Sequence, residues 1–196
     1  MCATKAEIRT AAISRRDALT ADQRAAAGAR IADRLRALPA YQQARCVLLY
    51  VSMRSEVDTF ALLDELLAAR RGVCVPVTDW AARRLDLFAL TDRAELAPGR
   101  YGVPEPRPET RRPVDPSAID LALVPGVAFD PCGRRLGYGA GLFDGLLPRL
   151  PVSCPRWGLA FAAQMVDELP ADPHDQRVDA VITEDAIWRV EEGRDE

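Results

Sequence analysis

A basic, glycine-rich turn in the second half of this sequence has the residues best suited to chemistry. The apolar run over 119–127 ends in Pro-Gly, as buried strands often do, and the spacing over 141–149 predicts a short helix. The basic and glycine residues of the turn are Arg134, Arg135, Gly137, Gly139 and Gly141. Backbone N–H groups, a helix N-terminus and guanidinium groups all attract anions, so the turn predicts a phosphate site. Asp144 follows one turn into the helix, where a carboxylate suits the Mg²⁺ that accompanies a nucleotide.

The glycine spacing alone leaves a structural alternative open. Gly-x-Gly-x-Gly is neither the dinucleotide-binding fingerprint nor the Walker loop, so a tight turn capped by Asp144 fits it as well. A second basic segment favours the phosphate hypothesis. Lys5 is the one lysine among 26 basic residues, and Arg9 lies four residues later, on the same face of a predicted helix. Such a pair suits two contacts to one polyphosphate, although a solvated basic face is the alternative.

Composition and charge predict one globular domain over residues 1–196. A net charge of −3 argues against a general nucleic-acid binder. No apolar run approaches the roughly 18 to 20 residues that span a bilayer, so we expect no membrane association and a cytoplasmic location. The five cysteines include no C-x-x-C pair, which supports neither a disulfide framework nor a zinc site.

The hydrophobic pattern predicts an α/β fold. A strand over 46–51, a helix over 60–70 and a strand over 72–77 form a βαβ unit with parallel pairing. Helices are predicted over 3–17 and from the capping box at Thr20 to about 38, and further strands over 85–90, 157–161 and 178–183. Residues 98–116 are expected to form an extended loop, and 191–196 a frayed end. Glu56 follows the first strand, where ligands bind in open α/β sheets, whereas His174 is expected in an exposed turn.

Together, these segments resemble the 5-formyltetrahydrofolate cyclo-ligase family. The resemblance spans nearly the whole chain and rests on residues 5–9, 52–59, 98–106, 124–144, 158–161 and 174–175. It implies a three-layer sandwich with a mostly parallel sheet, of the sugar-phosphate isomerase and CoA-transferase type, with an N-terminal helical arm. It also implies ATP- and Mg²⁺-dependent cyclisation of 5-formyltetrahydrofolate to 5,10-methenyltetrahydrofolate. The formyl oxygen is phosphorylated, N10 attacks, and ADP and phosphate are released.

The resemblance also implies a role for each matching residue. Lys5 and Arg135 would be catalytic, and Asp144 and Asp175 would support Mg²⁺. ATP would contact Lys5, Arg9, Arg135, Leu136, Gly137, Tyr138, Gly139, Ala140, Gly141, Leu142 and Phe143. The folate, with or without additional glutamates, would contact Val51, Glu56, Tyr138, Gly139, Ala140, Gly141 and Leu142. A monomer is expected.

One departure from the family pattern keeps other functions open. Relatives commonly have two tyrosines before the aspartate, often preceded by Gly or Lys, whereas this chain has Leu142 and Phe143, with Ala140 before them. The apolar wall is kept but two hydroxyls are lost. A non-catalytic folate-binding homologue is therefore an alternative, as is a phosphosugar isomerase or CoA-transferase relative. The sequence shows no acyl-accepting glutamate motif for the latter.

Overall fold

The computed structural model describes residues 3–190, so Cys2 and the end predicted to be frayed, 191–196, lie outside the described residues. The α-helices in the described range are α1 (Lys5–Asp17), α2 (Ala21–Arg36), α3 (Pro39–Gln43), α4 (Phe60–Ala68) and α5 (Leu142–Leu146). The strands of the same range are β1 (Cys46–Leu49), β2 (Gly72–Asp79), β3 (Arg84–Leu90), β4 (Leu96–Pro98), β5 (Pro104–Pro106), β6 (Arg112–Pro113), β7 (Leu121–Val124), β8 (Ala128–Phe129), β9 (Arg135–Leu136), β10 (Arg156–Leu159), β11 (Ala180–Ile182) and β12 (Ile187–Arg189).

The first two helices begin where their side chains cap them. At α2 the Thr20 hydroxyl accepts a hydrogen bond from the Gln23 N–H group at 3.2 Å, and the Gln23 side chain accepts one from the Thr20 N–H group at 2.8 Å. This confirms the capping box predicted from the sequence. The predicted end near 38 was wrong by two residues. Pro39 occupies the first turn of α3, a position that suits proline.

The main sheet is mostly parallel, which confirms the predicted α/β class. Its strand order is β12-β11-β10-β7-β1-β2-β3-β6. The five strands from β11 to β2 pair in parallel, and β12, β3 and β6 are antiparallel at the two edges. The predicted βαβ unit is β1-α4-β2. A parallel sheet of this kind places the carboxyl ends of its inner strands along one edge, which is where ligands bind in such folds.

Helices cover both faces of the sheet. Along β1, Val47 and Leu49 pack towards α2, α3 and α4, whereas Leu48 packs on the opposite face with Leu146 of α5 and the following turn. Successive strand residues point to opposite faces, so burial on both sides needs the uninterrupted apolar run that this strand has. In α4, Leu63 is fully buried, and truncating it to alanine should cost about 2 to 5 kcal/mol. The result is three layers.

The strand predicted over 119–127 is interrupted at Pro125 and Gly126. The chain leaves the main sheet after β7 and forms the small hairpin β8-β9. Helix α1 packs on this hairpin, with Ile8 and Ala12 against Val127 and Leu136. The contact fixes the basic helix beside the carboxyl ends of the parallel strands.

Two further predictions concern cysteines and membranes. Cys46, Cys74, Cys132 and Cys154, the cysteines in the described range, are all free thiols. Between residues 3 and 190, no helix combines the length and the apolar character needed to cross a membrane.

Candidate active site

A cavity of about 560 Å³ opens where the parallel strands end. Val51 follows β1, Gly126 follows β7, and Thr78 lies near the end of β2. Its volume is in the range of sites for small ligands. The structure brings every predicted site residue to this cavity, namely Lys5, Arg9, Val51, Glu56, Arg135, Leu136, Gly137, Tyr138, Gly139, Ala140, Gly141, Leu142, Phe143, Asp144 and Asp175.

The glycine turn has the backbone geometry that requires glycine. Gly139 has φ +101° and Gly141 has φ +66°, both in the range that L side chains rarely adopt. Gly141 is the residue from which α5 begins. Arg9 connects helix α1 to the turn, since its Nε donates to the carbonyl of Gly137 at 2.9 Å. The two segments predicted to share a polyphosphate are therefore in direct contact.

Arg135 is a buried cation at one side of the cavity. Its Nη2 donates to Asp144 Oδ1 at 2.7 Å, and only 4% of its side chain is exposed. Burial lowers the pKa of Arg135 below its ordinary value, while Asp144 and Asp175 oppose the shift. No group in residues 3–190 accepts a hydrogen bond from Nε, which leaves donor capacity unused. The neighbouring Arg134 pairs with Glu168 at 3.0 Å and does not line the cavity, so its inclusion in the predicted phosphate site was wrong.

Lys5 lies between two carboxylates at the mouth of the cavity. Its Nζ donates to Asp172 at 2.8 Å and also to Asp175. Burial lowers the pKa of Lys5, but the two carboxylates outweigh it, and the net pKa lies above the ordinary value. Burial raises the pKa of Asp175, but the Asp172 N–H group and Lys5 more than offset this, so its net pKa is lowered. His174 is exposed, as predicted, and its ring nitrogen and the two carboxylates lie within 4.8 Å of one another.

Glu56 faces the cavity from the loop after β1. Its Oε2 accepts a hydrogen bond from the Met53 N–H group at 3.0 Å, and its Oε1 accepts one from the Tyr138 hydroxyl at 3.1 Å. Burial raises the pKa of Glu56, against the opposing effects of those two donors and of the charges of Arg16 and Arg54. Each oxygen keeps a lone pair for a ligand.

Several residues in or beside the cavity were not predicted from the sequence. Arg16 donates a hydrogen bond to the Tyr138 hydroxyl at 3.1 Å. The sequence signal for it was that Arg16 follows Ile8 and Ala12 at four-residue spacing, on a helical face that is otherwise apolar. Trp80 and Arg100 line another part of the cavity, with the guanidinium 4.7 Å from the ring centre. They come from the β2–β3 turn and the proline-rich segment, which no local pattern connects.

Comparison with known proteins decides the family. The model of the 5-formyltetrahydrofolate cyclo-ligase family matches residues 1–184. The chain belongs to this family. A 5-formyltetrahydrofolate cyclo-ligase of Escherichia coli K12 is 32% identical over 176 residues, which is 89% of this chain and 97% of the relative. One from Mus musculus is 28% identical over 184 residues, 86% of this chain and 88% of the relative.

A solved structure supports the same assignment. The NMR structure of Aquifex aeolicus 5,10-methenyltetrahydrofolate synthetase matches with a TM-score of 0.85 and 31% identity, over 98% of this chain and 95% of that one. The family and enzyme class predicted from the sequence are therefore confirmed. As a 5-formyltetrahydrofolate cyclo-ligase family member, the chain is an ATP-dependent ligase of one-carbon metabolism.

Proposed function

We propose that this protein converts 5-formyltetrahydrofolate to 5,10-methenyltetrahydrofolate in the cavity of about 560 Å³, with release of ADP and phosphate. One observation supports this location above the others. Lys5, Arg9 and Arg135, the cationic end, line the same cavity as Glu56, the acceptor end, and the glycine turn contacts Arg9 through Gly137 and Glu56 through Tyr138. An anionic nucleotide and a ring with N–H donors would fit these ends.

The chemistry explains why both ligands must lie together. The oxygen of the formyl group on N5 is a poor leaving group. Transfer of the γ-phosphoryl group of ATP to that oxygen forms an imidate-like phosphate and ADP. N10 then attacks the formyl carbon, the carbon–oxygen bond breaks, and inorganic phosphate leaves. The protein contributes chiefly by positioning the two reactants and by neutralising phosphoryl charge, and it needs no covalent nucleophile.

At the cationic end, we assign the phosphates to Arg135, Lys5 and the glycine turn. Arg135 is fixed by Asp144 at the cavity wall, so its positive charge can stabilise the transferring group. Lys5 is held by partly exposed carboxylates and can exchange them for phosphate oxygens. Arg9 holds the turn closed against helix α1 through the Gly137 carbonyl.

The acidic residues beside this end fit Mg²⁺. Magnesium prefers oxygen ligands, and the carboxylates of Asp144 and Asp175 line the cavity beside Arg135 and Lys5, their respective partners. The ion pairs of Lys5 with Asp172 and Asp175 support a site for positive charge there. We propose that Asp144 and Asp175 hold the ion. When bound, Mg²⁺ supplies charge neutralisation for the nucleotide phosphates.

At the acceptor end, we assign the pterin ring to Glu56 and Val51. A carboxylate presents two oxygens side by side, which matches the adjacent N–H donors on one edge of a pterin. Tyr138 and Leu142 line the same cavity, and we assign them contacts to both ligands, whereas Phe143 would contact ATP.

A spectroscopic assay tests the proposal directly. Protein mixed with ATP, Mg²⁺ and 5-formyltetrahydrofolate should produce the strong near-ultraviolet absorbance of the methenyl product, with one ADP released per product molecule. Omission of ATP is the control and should abolish the signal. Calorimetric binding of the folate without ADP release at high protein concentration would contradict the proposal and identify a non-catalytic binding protein.

A further inference from the structure

Arg16 is a charged side chain buried inside the protein beside the cavity. It lies in α1, is 2% exposed, and is among the largest fully buried side chains of the described residues. Burying a guanidinium group is unfavourable unless each donor finds a partner. Its Nε donates to the Ser55 hydroxyl at 2.9 Å, and the Ser55 hydroxyl donates to Asp17. Arg16 and Ser55 are buried, and the network reaches solvent at Asp17, whose side chain is 54% exposed and lies 3.6 Å from Arg16 Nε.

The other end of the guanidinium connects to the acceptor end of the cavity. Nη1 of Arg16 donates to the Tyr138 hydroxyl at 3.1 Å, and that hydroxyl donates to Glu56 Oε1 at 3.1 Å. The direction of both bonds is fixed, because a guanidinium can only donate and a carboxylate can only accept. The tyrosine hydroxyl, which has a single proton, therefore points at Glu56. The buried Arg16 guanidinium thus orients the hydroxyl of the partly exposed Tyr138 towards the Glu56 carboxylate.

We propose that Arg16 is a positioning residue of the folate site, which orients the Tyr138 hydroxyl and through it the Glu56 carboxylate for N–H donors of the ligand. This inference rests on the proposed function for the assignment of the folate to Glu56. Arg16 itself does not line the cavity. Its effect on the ligand passes through Tyr138, which does.

The charge of Arg16 adds a second, measurable consequence. The groups that face Glu56 are Arg16 from α1, Tyr138 from the glycine turn, and Tyr50 and Arg54 from its own loop. Glu56 must be ionised to accept two N–H donors, and the positive charges favour that form. Removal of the Arg16 charge should raise the pKa of Glu56. The pH below which folate binding is lost should therefore be higher in the variant than in the wild type.

The test compares Arg16→Met, Arg16→Lys and Tyr138→Phe with the wild type. Arg15→Met is the matched control, because Arg15 is the adjacent arginine of α1, is exposed, and donates to the carbonyl of Ala163 outside the cavity. The equilibrium dissociation constant for 5-formyltetrahydrofolate is measured by calorimetry without ATP, from acidic to neutral pH. The KM values for both substrates are measured alongside, and circular dichroism and thermal unfolding report on folding.

We expect Arg16→Met and Tyr138→Phe to weaken folate binding by about tenfold, since each removes a hydrogen bond in a chain that ends on a charged group. In Arg16→Met the KM for ATP should stay within about twofold, because Arg16 does not line the cavity. The acid limit of folate binding should move to higher pH in Arg16→Met but not in Arg16→Lys, which keeps the charge. Arg15→Met should match the wild type.

Tyr138→Phe keeps the test decisive if Arg16→Met fails to fold, because Tyr138 is 40% exposed and the Arg16 guanidinium keeps its hydrogen bond to the Ser55 hydroxyl. Wild-type folate affinity in Tyr138→Phe would overturn the inference. So would an equal loss of affinity for folate and ATP in Arg16→Met. Failure of the proposed function is distinguishable, since it would appear as absence of product formation or folate binding in the wild-type protein.

Discussion

The two ends of the cavity hold their charges in different ways. At the cationic end, Lys5 is paired with Asp172 and Asp175, whose carboxylates are partly exposed. At the acceptor end, buried Arg16 reaches Glu56 only through the neutral hydroxyl of Tyr138. Exposed ion pairs contribute about 0 to 1 kcal/mol, so they exchange readily, whereas a buried cation that loses a partner costs several kcal/mol.

This contrast suggests two kinds of binding. At the cationic end, Lys5 is held in ion pairs that a nucleotide and its metal can replace. At the acceptor end, the Glu56 carboxylate is held in a fixed orientation before the ligand arrives. Arg135 is an exception, because it belongs to the cationic end but its side chain is nearly as buried as that of Arg16. The following substitutions would break or sharpen the contrast.

The largest effect is expected at Arg135. Arg135→Met should lower kcat by about 10² to 10³, because it removes a fixed cation aimed at the transferring phosphoryl group. It should also lower the unfolding midpoint, since Asp144 loses its partner. Steady-state kinetics and urea unfolding measure the two effects. Arg134→Met is the control, because Arg134 does not line the cavity. A comparable loss of kcat in that variant would show that the effect of Arg135→Met does not arise from the place of Arg135 in the cavity.

Asp175 should have the next largest effect, on the metal requirement. We expect Asp175→Asn to raise the Mg²⁺ concentration for half-maximal activity by about 10-fold or more, since a charged oxygen ligand is lost. Titration of activity with Mg²⁺ at saturating ATP measures this. Asp33→Asn, an exposed change on α2, is the control. An unchanged Mg²⁺ requirement in Asp175→Asn would remove this residue from the proposed metal site.

Lys5 should affect nucleotide binding without affecting folding. Lys5→Ala should raise the KM for ATP by about tenfold, as expected for one charge-assisted contact to a phosphate. The KM for 5-formyltetrahydrofolate and the unfolding midpoint should change little, because the side chain is 28% exposed and its ion pairs are weak. Substrate-dependent kinetics separate the two KM values. Wild-type kinetics for ATP would show that the one lysine of the chain has no special role.

The smallest functional effect is expected at an ion pair outside the cavity. Glu95 accepts from Arg112 and Thr91, and these hydrogen bonds, against the opposing effect of burial, lower its pKa to about 2 from 4.5. A lowered pKa adds stability that is present above about pH 4.5 and is lost as the pH falls towards 2. Glu95→Gln should therefore reduce stability at pH 7 and leave the kinetics unchanged.

Urea unfolding across this pH range checks the sign of that effect. The difference in unfolding free energy between wild type and Glu95→Gln should shrink as the pH falls below 4.5. A difference that grows in acid would contradict the assignment of the lowered pKa to Glu95.

The sequence predicted best those features that depend on neighbouring residues. Local spacing predicts the capping box at Thr20, the βαβ unit, and the position of Lys5 and Arg9 on one helical face. Features that depend on pairing with distant residues were missed. The break at Pro125 reflects the hairpin β8-β9, and the edge strand β12 exists only because β11 pairs with it.

The same distinction applies to the site. The glycine turn and Asp144 are consecutive, so one segment predicted them together. Arg16 was missed although it continues the stripe of α1, because a charged residue on a short helix is normally a solvated one. Asp172 lies three residues before Asp175, and its role depends on the approach of Lys5 from 167 residues away in sequence.

Helix α1 contacts both ends of the cavity, which makes its length as important as its composition. Lys5, Arg9 and Arg16 lie on one face of the helix. The rise from Lys5 to Arg16, over eleven residue steps, is about 16 Å. Insertion of a single residue between Arg9 and Arg16 would rotate one end by about 100° relative to the other, and no new side chain would restore the register. We therefore expect this helix to tolerate many substitutions on its exposed face but almost no insertions or deletions.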